Sequence, residues 1–299
     1  MTLNKSGETE KSMIIVRIWE GIGNQLFQYA YARSQLKKNK CVFLDLDKAY
    51  KEKFPTLRNN SIRENSIQKF NITVPSIDVE KLEKYSYLER KTWMEQKIFY
   101  LAQNGWWPYS FIEEKSEHYS RRIDKLKRNV YIKGWFQDIR YFKDIRKELL
   151  QELTPKKKIK IPLYLLNMIK DKNSVAIHVR RGDYVRLGRA LPVAYYISAK
   201  KMIETKIKSP IYLIFSDDYK WVKENINWNC KVFYIDELCD LEDYEQLFIM
   251  SRCRSQVISN STFSWWAAWL NSHKDKIIIA PKQFIQHNPG LKIRNSILI

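Results

Sequence analysis

The amino-acid sequence predicts an α/β protein built on mostly parallel sheets. Two patterns predict it: the chain opens with an apolar run, a glycine turn, a helical segment and a second apolar run, and beyond residue 162 apolar runs alternate with helical segments. Parallel strands need a crossover long enough to carry a helix, so alternation of this kind marks βαβ units. A third feature divides the chain. Thr154-Pro-Lys-Lys-Lys-Ile-Lys-Ile-Pro162 holds four lysines between two prolines, the composition of a linker or a surface crossing between domains.

Residues 1–12 are polar and charged and read as a loose tail. Met13-Ile-Ile-Val-Arg-Ile18 has the continuous apolar character of a buried strand. Gly21-Ile-Gly23 follows as a turn. Residues 24–38 read as a helix with Leu26, Phe27, Ala30 and Tyr31 on one face and Asn24 as its cap. Lys40-Cys-Val-Phe-Leu44 is the second strand. Residues 50–125 are charged and aromatic without a clean period; helix is expected around 78–103, and a substrate-specific insertion fits this stretch. A strand is expected at 129–133, ended by Gly134-Trp-Phe-Gln-Asp138, which opens a helix to about Leu153. In the second half, strands are expected at 174–179, 210–216, 230–235, 255–259 and 276–280, and helices at 162–171, 192–207, 218–226, 242–252 and 262–271. Ligands of such sheets sit beyond the carboxyl ends of the strands, so the residues that follow each strand are the candidates for chemistry.

Composition narrows the function classes. The 299 residues suit two domains or one large one. Hydrophobic residues make up 44% and aromatics 14%, enough for a sizeable core and against wholesale disorder. Only 8 residues are glycine, so each one is more informative about positive φ or close backbone approach. The formal net charge of +20 suits nucleic acid, an anionic membrane surface or a phosphate-rich small substrate. No motif that reads DNA or RNA accompanies the charge, and no nucleic-acid partner is expected. Cys41, Cys230, Cys239 and Cys253 form no CxxC pair and the four histidines are scattered, so no zinc site is expected. The N-terminus has no apolar signal core, and the longest stretch free of Lys, Arg, Asp and Glu, 255–273, is too polar to span a bilayer. A cytoplasmic protein is expected, peripheral at most on the inner membrane face.

Several strand ends carry chemistry. His178-Val-Arg-Arg-Gly-Asp-Tyr184 follows an apolar strand. Arginine forks suit phosphate, Gly182 permits close backbone approach, and Asp183 can orient an arginine or bond a ribose or base. The same residues also suit a solvated loop with an internal Arg–Asp pair. Glu20-Gly-Ile-Gly-Asn-Gln-Leu-Phe-Gln28 is a glycine turn opening a helix; the third glycine of a dinucleotide fingerprint is missing. It suits either an approach of backbone amides, Asn24 and Gln25 to a sugar or its leaving phosphate, or a plain turn and cap. Ser259-Asn-Ser-Thr-Phe-Ser-Trp-Trp-Ala-Ala-Trp269 puts Ser261, Thr262 and Ser264 at a helix start, a natural phosphate seat, with Trp265, Trp266 and Trp269 as core or as a sugar platform. Asp45-Leu-Asp47 and Asp217-Asp218 end strands and suit either a metal-bound diphosphate or turns and helix caps. The basic runs 121–128 and 156–160 read as solvated faces. There is no P-loop, and no nucleophile–base pair is legible from spacing.

Gly21-Ile-Gly-Asn-Gln-Leu-Phe-Gln-Tyr-Ala30, His178-Val-Arg-Arg-Gly-Asp-Tyr184 and Asn260-Ser-Thr-Phe-Ser-Trp-Trp-Ala-Ala268 together resemble, in order along the chain, the motifs of bacterial α-1,2-fucosyltransferases. Gly134-Trp-Phe-Gln-Asp138 and Phe215-Ser-Asp-Asp218 fit the same pattern. The resemblance implies two Rossmann-like domains facing a cleft, the B type of glycosyltransferase, with 13–155 on the acceptor side and 156–299 binding GDP-fucose. It implies metal-independent, inverting transfer of L-fucose to the 2-hydroxyl of a terminal galactose, on an oligosaccharide or lipid-linked glycan, with no cofactor. Another GDP-sugar or a fucosyltransferase of different linkage on the same fold is the alternative, and a basic nucleic-acid-binding protein, resting on net charge alone, is the alternative of a different class. Carried over position by position, Arg180 grips the β-phosphate and leaving oxygen, and His178 and Asp183 help seat the nucleotide. Gly23, Gln25 and Asp217 join the donor site, Ser261, Thr262 and Phe263 line the diphosphate and sugar, and Asn24 touches the donor–acceptor junction. Arg180, Asn24 and Asp183 are the expected catalytic residues. Two positions depart from the family. Glu20 stands where its turn usually has glycine, and Gln246, beside Glu245, stands where a carboxylate is available to the guanine edge. Asp183, Glu20 and Asp138 are candidate bases; a dissociative route needs none.

Overall fold

The computed structural model describes residues 13–38, 40–46, 65–77, 110–126 and 129–299. The helix expected at 78–103 lies outside them. The chain divides into two compact units, one running to Leu153 and one beginning at Thr154, with Lys69–Asn71 counted in the second.

In the first unit the described elements are β1 (Met13–Arg17), α1 (Ile22–Lys37), β2 (Cys41–Asp45), β3 (Ser110–Glu114), α2 (Arg121–Asp124), β4 (Val130–Gly134) and α3 (Arg146–Glu152). The four strands pair in parallel in the order β2-β1-β4-β3. β1 is central, which is why Ile14, Ile15 and Val16 are fully buried and why the strand is apolar throughout. Strand order reverses between β1 and β4, so the loops after these two strands diverge from one point.

Those loops are held in uncommon conformations. Glu20 has φ 68° and Phe136 φ 51°. A left-handed backbone costs a side-chain-bearing residue roughly 1–2 kcal/mol. The Glu20 turn is secured by Gln25, whose Nε2 donates to the Glu20 carbonyl (2.8 Å) while its Oε1 accepts the Ile67 N–H (3.0 Å). Trp19 N–H donates to Gln28 Oε1 (2.9 Å). Because the chain turns this early, α1 starts at Ile22 with Gly21 as its cap position, and Asn24 lies inside the helix instead of capping it. After β4, the Phe136 ring stacks on Tyr31 at 4.0 Å. The helix expected from 138 is two short 3-10 turns before α3, because Asp138 caps the first of them by accepting the Arg140 N–H (2.9 Å).

The second unit contains α4 (Leu163–Lys170), β5 (Ser174–Val179), α5 (Gly182–Arg186), α6 (Val193–Lys206), β6 (Ile211–Ser216), α7 (Tyr219–Asn225), β7 (Val232–Tyr234), α8 (Ile235–Leu238), α9 (Asp243–Arg252), β8 (Ser255–Val257), α10 (Thr262–Leu270), β9 (Ile278–Ala280), α11 (Lys282–His287) and β10 (Ile297–Leu298). Its parallel sheet has the order β10-β9-β8-β5-β6-β7. The chain runs outward from β5 through β6 to β7, then returns to the other side of β5 for β8, β9 and β10. All six residues of β5 are buried. Val175, Ile177 and Val179 share a core with Tyr212, Ile214, Val257 and Ile279 and with Tyr196, Ala199 and Ile203 of α6. Trp265 and Trp266 are fully buried and Trp269 nearly so, which makes these indoles core and not a sugar platform. All four cysteines are free. Among the described residues no helix is long and apolar enough to cross a membrane.

Glu20→Gly and Glu20→Ala both remove the carboxylate, but only glycine relieves the left-handed backbone. In urea denaturation the glycine variant is expected to be about 1 kcal/mol more stable than the alanine variant. Equal stabilities would show that the turn carries no strain.

Candidate functional site

The second sheet reverses its strand order between β5 and β8, and in sheets of this kind ligands bind at such a point, beyond the carboxyl ends of the strands. The loop after β5 carries Arg180, Arg181, Gly182 and Asp183, and the loop after β8 carries Ser259, Asn260 and Ser261; Arg180, Asp183 and Ser261 among them are predicted site residues. They are stitched together. His178 Nδ1 and Ser259 Oγ lie 2.8 Å apart, Tyr184 Oη donates to the Asn260 carbonyl (3.4 Å), and Asn260 Nδ2 donates to the Arg189 carbonyl (2.8 Å). Tyr195 Oη of α6 braces the β8 loop through the Ile258 carbonyl (2.6 Å).

Arg180 is gripped at both ends of its guanidinium. Nη2 meets Asp183 Oδ1 at 2.6 Å and Nη1 meets Asp217 Oδ2 at 2.7 Å, while the plane lies 5.4 Å from the Tyr184 ring. The two carboxylates differ in access: the Asp183 side chain is 3% exposed and that of Asp217 28%. Arg181 is held apart from Arg180. Its Nε pairs with Asp218 Oδ2 (3.1 Å), its guanidinium covers the Trp221 ring at 3.9 Å, and its N–H donates to Asp217 Oδ1 (2.7 Å). Asp218 also caps α7 by accepting the Trp221 N–H (3.1 Å). The close approach expected at Gly182 is real but its partner differs: a Cβ there would lie 2.7 Å from Asp217 Oδ2. The missing side chain makes room for a carboxylate.

His178 is buried, with its ring 5.2 Å from that of Phe263. Burial, reinforced by the Arg180 charge, lowers its pKa to about 3. The imidazole is therefore neutral near pH 7 and adds shape and hydrogen bonding, not charge. In α10, Ser261 Oγ accepts the Phe263 N–H (3.4 Å) as the cap, and Thr262 and Phe263 are half-buried. Ser264 does not belong with them. It is fully buried and its Oγ accepts the Ser259 N–H (3.2 Å), tying the helix start to the β8 loop.

The sequence pattern of Glycosyl transferase family 11 matches residues 13–291. The chain belongs to glycosyl transferase family 11. It is 30% identical over 293 residues to an alpha-1,2-colitosyltransferase of Escherichia coli, covering 92% of this chain and 93% of the relative. It is equally identical, 30%, to the O-antigen biosynthesis glycosyltransferase WbnK of Escherichia coli, with 91% and 95% covered. Among solved structures, a mutant FUT1 of Arabidopsis thaliana in complex with GDP aligns at a TM-score of 0.52 over 91% of this chain and 71% of that one, at 10% identity, a likeness of fold. The two parallel-sheet units are those of a B-type glycosyltransferase.

In the first unit of this family 11 chain, the reversal between β1 and β4 gathers a second group. Trp19 and Trp135 lie 4.3 Å apart, and Gln137 Nε2 donates to Asn24 Oδ1 (3.0 Å). Asn24 is half-buried beside it. Gln25 and Gly23 are buried in the first turn of α1, and Gln25 spends both ends of its amide on backbone groups, so it supports the Glu20 turn instead of presenting a side chain to a donor. The early start of α1 is the physical reason. Asp138 is 1% exposed and accepts from Arg140 and from the Tyr119 N–H (3.2 Å), so its carboxylate is engaged within its own loop. Asp45 is buried and accepts from Tyr131 Oη (2.5 Å); Asp47 lies outside the described residues. Glu245 accepts the Glu242 N–H at the start of α9 (3.0 Å), and Gln246 Nε2 donates to the Leu241 carbonyl (3.1 Å). Both serve their own helix start. Sequence reasoning gave no role to Ser259, Tyr184 or Tyr195; position after a strand end was the signal for Ser259 and Tyr184, and Tyr195, inside α6, had none.

The neutral His178 has a consequence for stability. Above about pH 6.5 it is uncharged in both folded and unfolded chains. Between about 6.5 and 3 only the unfolded chain takes up the proton, so stability falls as pH falls. In urea unfolding, wild type is expected to lose about 2 kcal/mol more than His178→Gln between pH 7 and pH 5. Parallel losses in the two proteins would place the imidazole in contact with solvent.

Proposed function

We propose that this chain transfers L-fucose from GDP-fucose to the 2-hydroxyl of a terminal galactose in a surface glycan, with inversion at the anomeric carbon and without a metal ion. The observation that carries this reading is Arg180, fixed at the strand-order reversal of the second sheet between a buried and a half-exposed carboxylate. Departure of GDP builds negative charge on the β-phosphate, and a guanidinium already in place stabilises that charge without reorganising. Asp183 holds Arg180 from its buried side. Asp217, the accessible partner, is the group a diphosphate displaces. The start of α10 adds the positive end of a helix at the carboxyl edge of the same sheet. The sugar develops oxocarbenium character as the bond to GDP breaks, and the galactose 2-hydroxyl attacks from the opposite face and gives up its proton to solvent once the new bond forms; in this dissociative route no protein base is assigned.

The metal-free part rests on how the strand-end carboxylates are used. Asp217 and Asp218 are engaged by Arg180 and Arg181, and Asp45 by Tyr131. The linkage follows the α-1,2 specificity in the names of the Escherichia coli relative and of an orangutan (Pongo pygmaeus) galactoside alpha-(1,2)-fucosyltransferase 2, 25% identical over 196 residues. The colitosyltransferase relative favours a second reading, in which the donor sugar lacks the 3-hydroxyl of fucose. Assays with GDP-fucose and GDP-colitose on β-galactoside acceptors, with the product linkage read by NMR, separate the two. Absence of transfer from GDP-fucose to any terminal galactose would sink the first.

Arg180→Ala is expected to lower kcat by about 100-fold or more, with the fold retained but the melting temperature lowered because the buried Asp183 carboxylate loses its arginine, and Arg180→Lys to recover little of the activity, because an ammonium cannot fork across two oxygens. Asp217→Asn is expected to tighten GDP binding several-fold by releasing one end of Arg180, and EDTA to leave turnover unchanged. Weaker GDP binding in Asp217→Asn together with loss of activity in EDTA would instead make Asp217 a ligand of a donor-bound metal.

A further inference from the structure

Lys156, Lys157, Lys158 and Lys160 stand exposed along the start of the second unit, and among the described residues none of them has an ion-pair or hydrogen-bond partner for its side chain. The strand of chain that bears them is fixed. Phe70 bridges to Pro155, the Lys156 N–H donates to the Lys69 carbonyl (2.8 Å), and Ile159 and Ile161 are half-buried between and after the lysines. Directly afterwards α4 opens with Leu163 and Tyr164, whose exposures are 72% and 47%. The opposite side of the same helix is anchored by Leu165 and Ile169 in the core. The outward stripe continues through Asn167 to Lys170.

A solvated crossing accounts for the lysines but not for an outward leucine and tyrosine at its end. Ammonium groups beside an exposed aliphatic and an exposed phenol are the composition of an interfacial segment: the charges meet anionic headgroups, and the apolar groups enter the boundary beneath them. We propose that residues 156–164 dock the second unit on a bilayer of anionic phospholipid. The partner is complementary to a chain of net charge +20.

The test uses the full chain and two variant sets, Lys156/157/158/160→Gln and Leu163→Ser with Tyr164→Ser, in co-sedimentation with vesicles of phosphatidylcholine alone or mixed with phosphatidylglycerol. Wild type is expected to bind only the anionic vesicles, less so as salt rises. The lysine set is expected to weaken partition by roughly 1000-fold and the apolar set by about tenfold. Melting temperature and transfer to a soluble acceptor are expected to stay at wild-type values in both, so each set carries the test alone. No binding of wild type to anionic vesicles overturns the proposal. So does a soluble polyanion such as heparin that binds through the same lysines while the apolar set leaves vesicle partition unchanged; the surface would then be a polyanion site and not a membrane one.

Discussion

The second unit depends on one geometric constraint: a parallel sheet that reverses its strand order sends the two loops at the reversal in opposite directions, and nothing in the backbone holds them together. Side chains must do it. Here His178 and Ser259 span the gap, Tyr184 and Asn260 reinforce it, and Ser264 ties the first turn of α10 into the same knot. The burial that keeps His178 uncharged is what permits it to sit behind Arg180 without repelling it. A protonated imidazole in that place would compete with the arginine for the same carboxylates.

Charge at this site is compensated before any substrate arrives. Two arginines face three aspartates within a few ångströms, and each arginine has its own carboxylate and its own ring. The arrangement lets the apo protein bury part of a guanidinium without an unpaired charge, at the expense of requiring exchange when a diphosphate enters. Asp183 and Asp217 thus divide the work by their depth: the deeper one fixes geometry, the shallower one yields.

Much of the fold was legible because parallel, doubly covered strands must be apolar throughout; β1, β5 and β6 announce themselves for that reason. The strand-end rule then led from β5 to Arg180 and Asp183 without any structure. What stayed hidden was decided by tertiary contacts. The left-handed turn at Glu20 moved the start of α1 by two residues, which turned Gln25 inward and placed Asn24 inside the helix. Ser264 reads as a hydroxyl at a helix start like Ser261, yet its Oγ is fully buried and engaged by the Ser259 N–H. β10 and α11 are too short to carry a period, and Gly134, Phe136 and Asp138 broke up what the sequence offers as one helix.

The void beside Gly182 joins two positions that are far apart in the sequence. Asp217 Oδ2 occupies the volume that any other residue at 182 would need for its Cβ. A side chain at 182 would have to push the tip of Asp217 aside, and that tip is one of the two holds on Arg180. Position 182 is therefore a lever on the arginine clamp that works without touching the arginine: the size of what stands there sets where the Asp217 carboxylate rests.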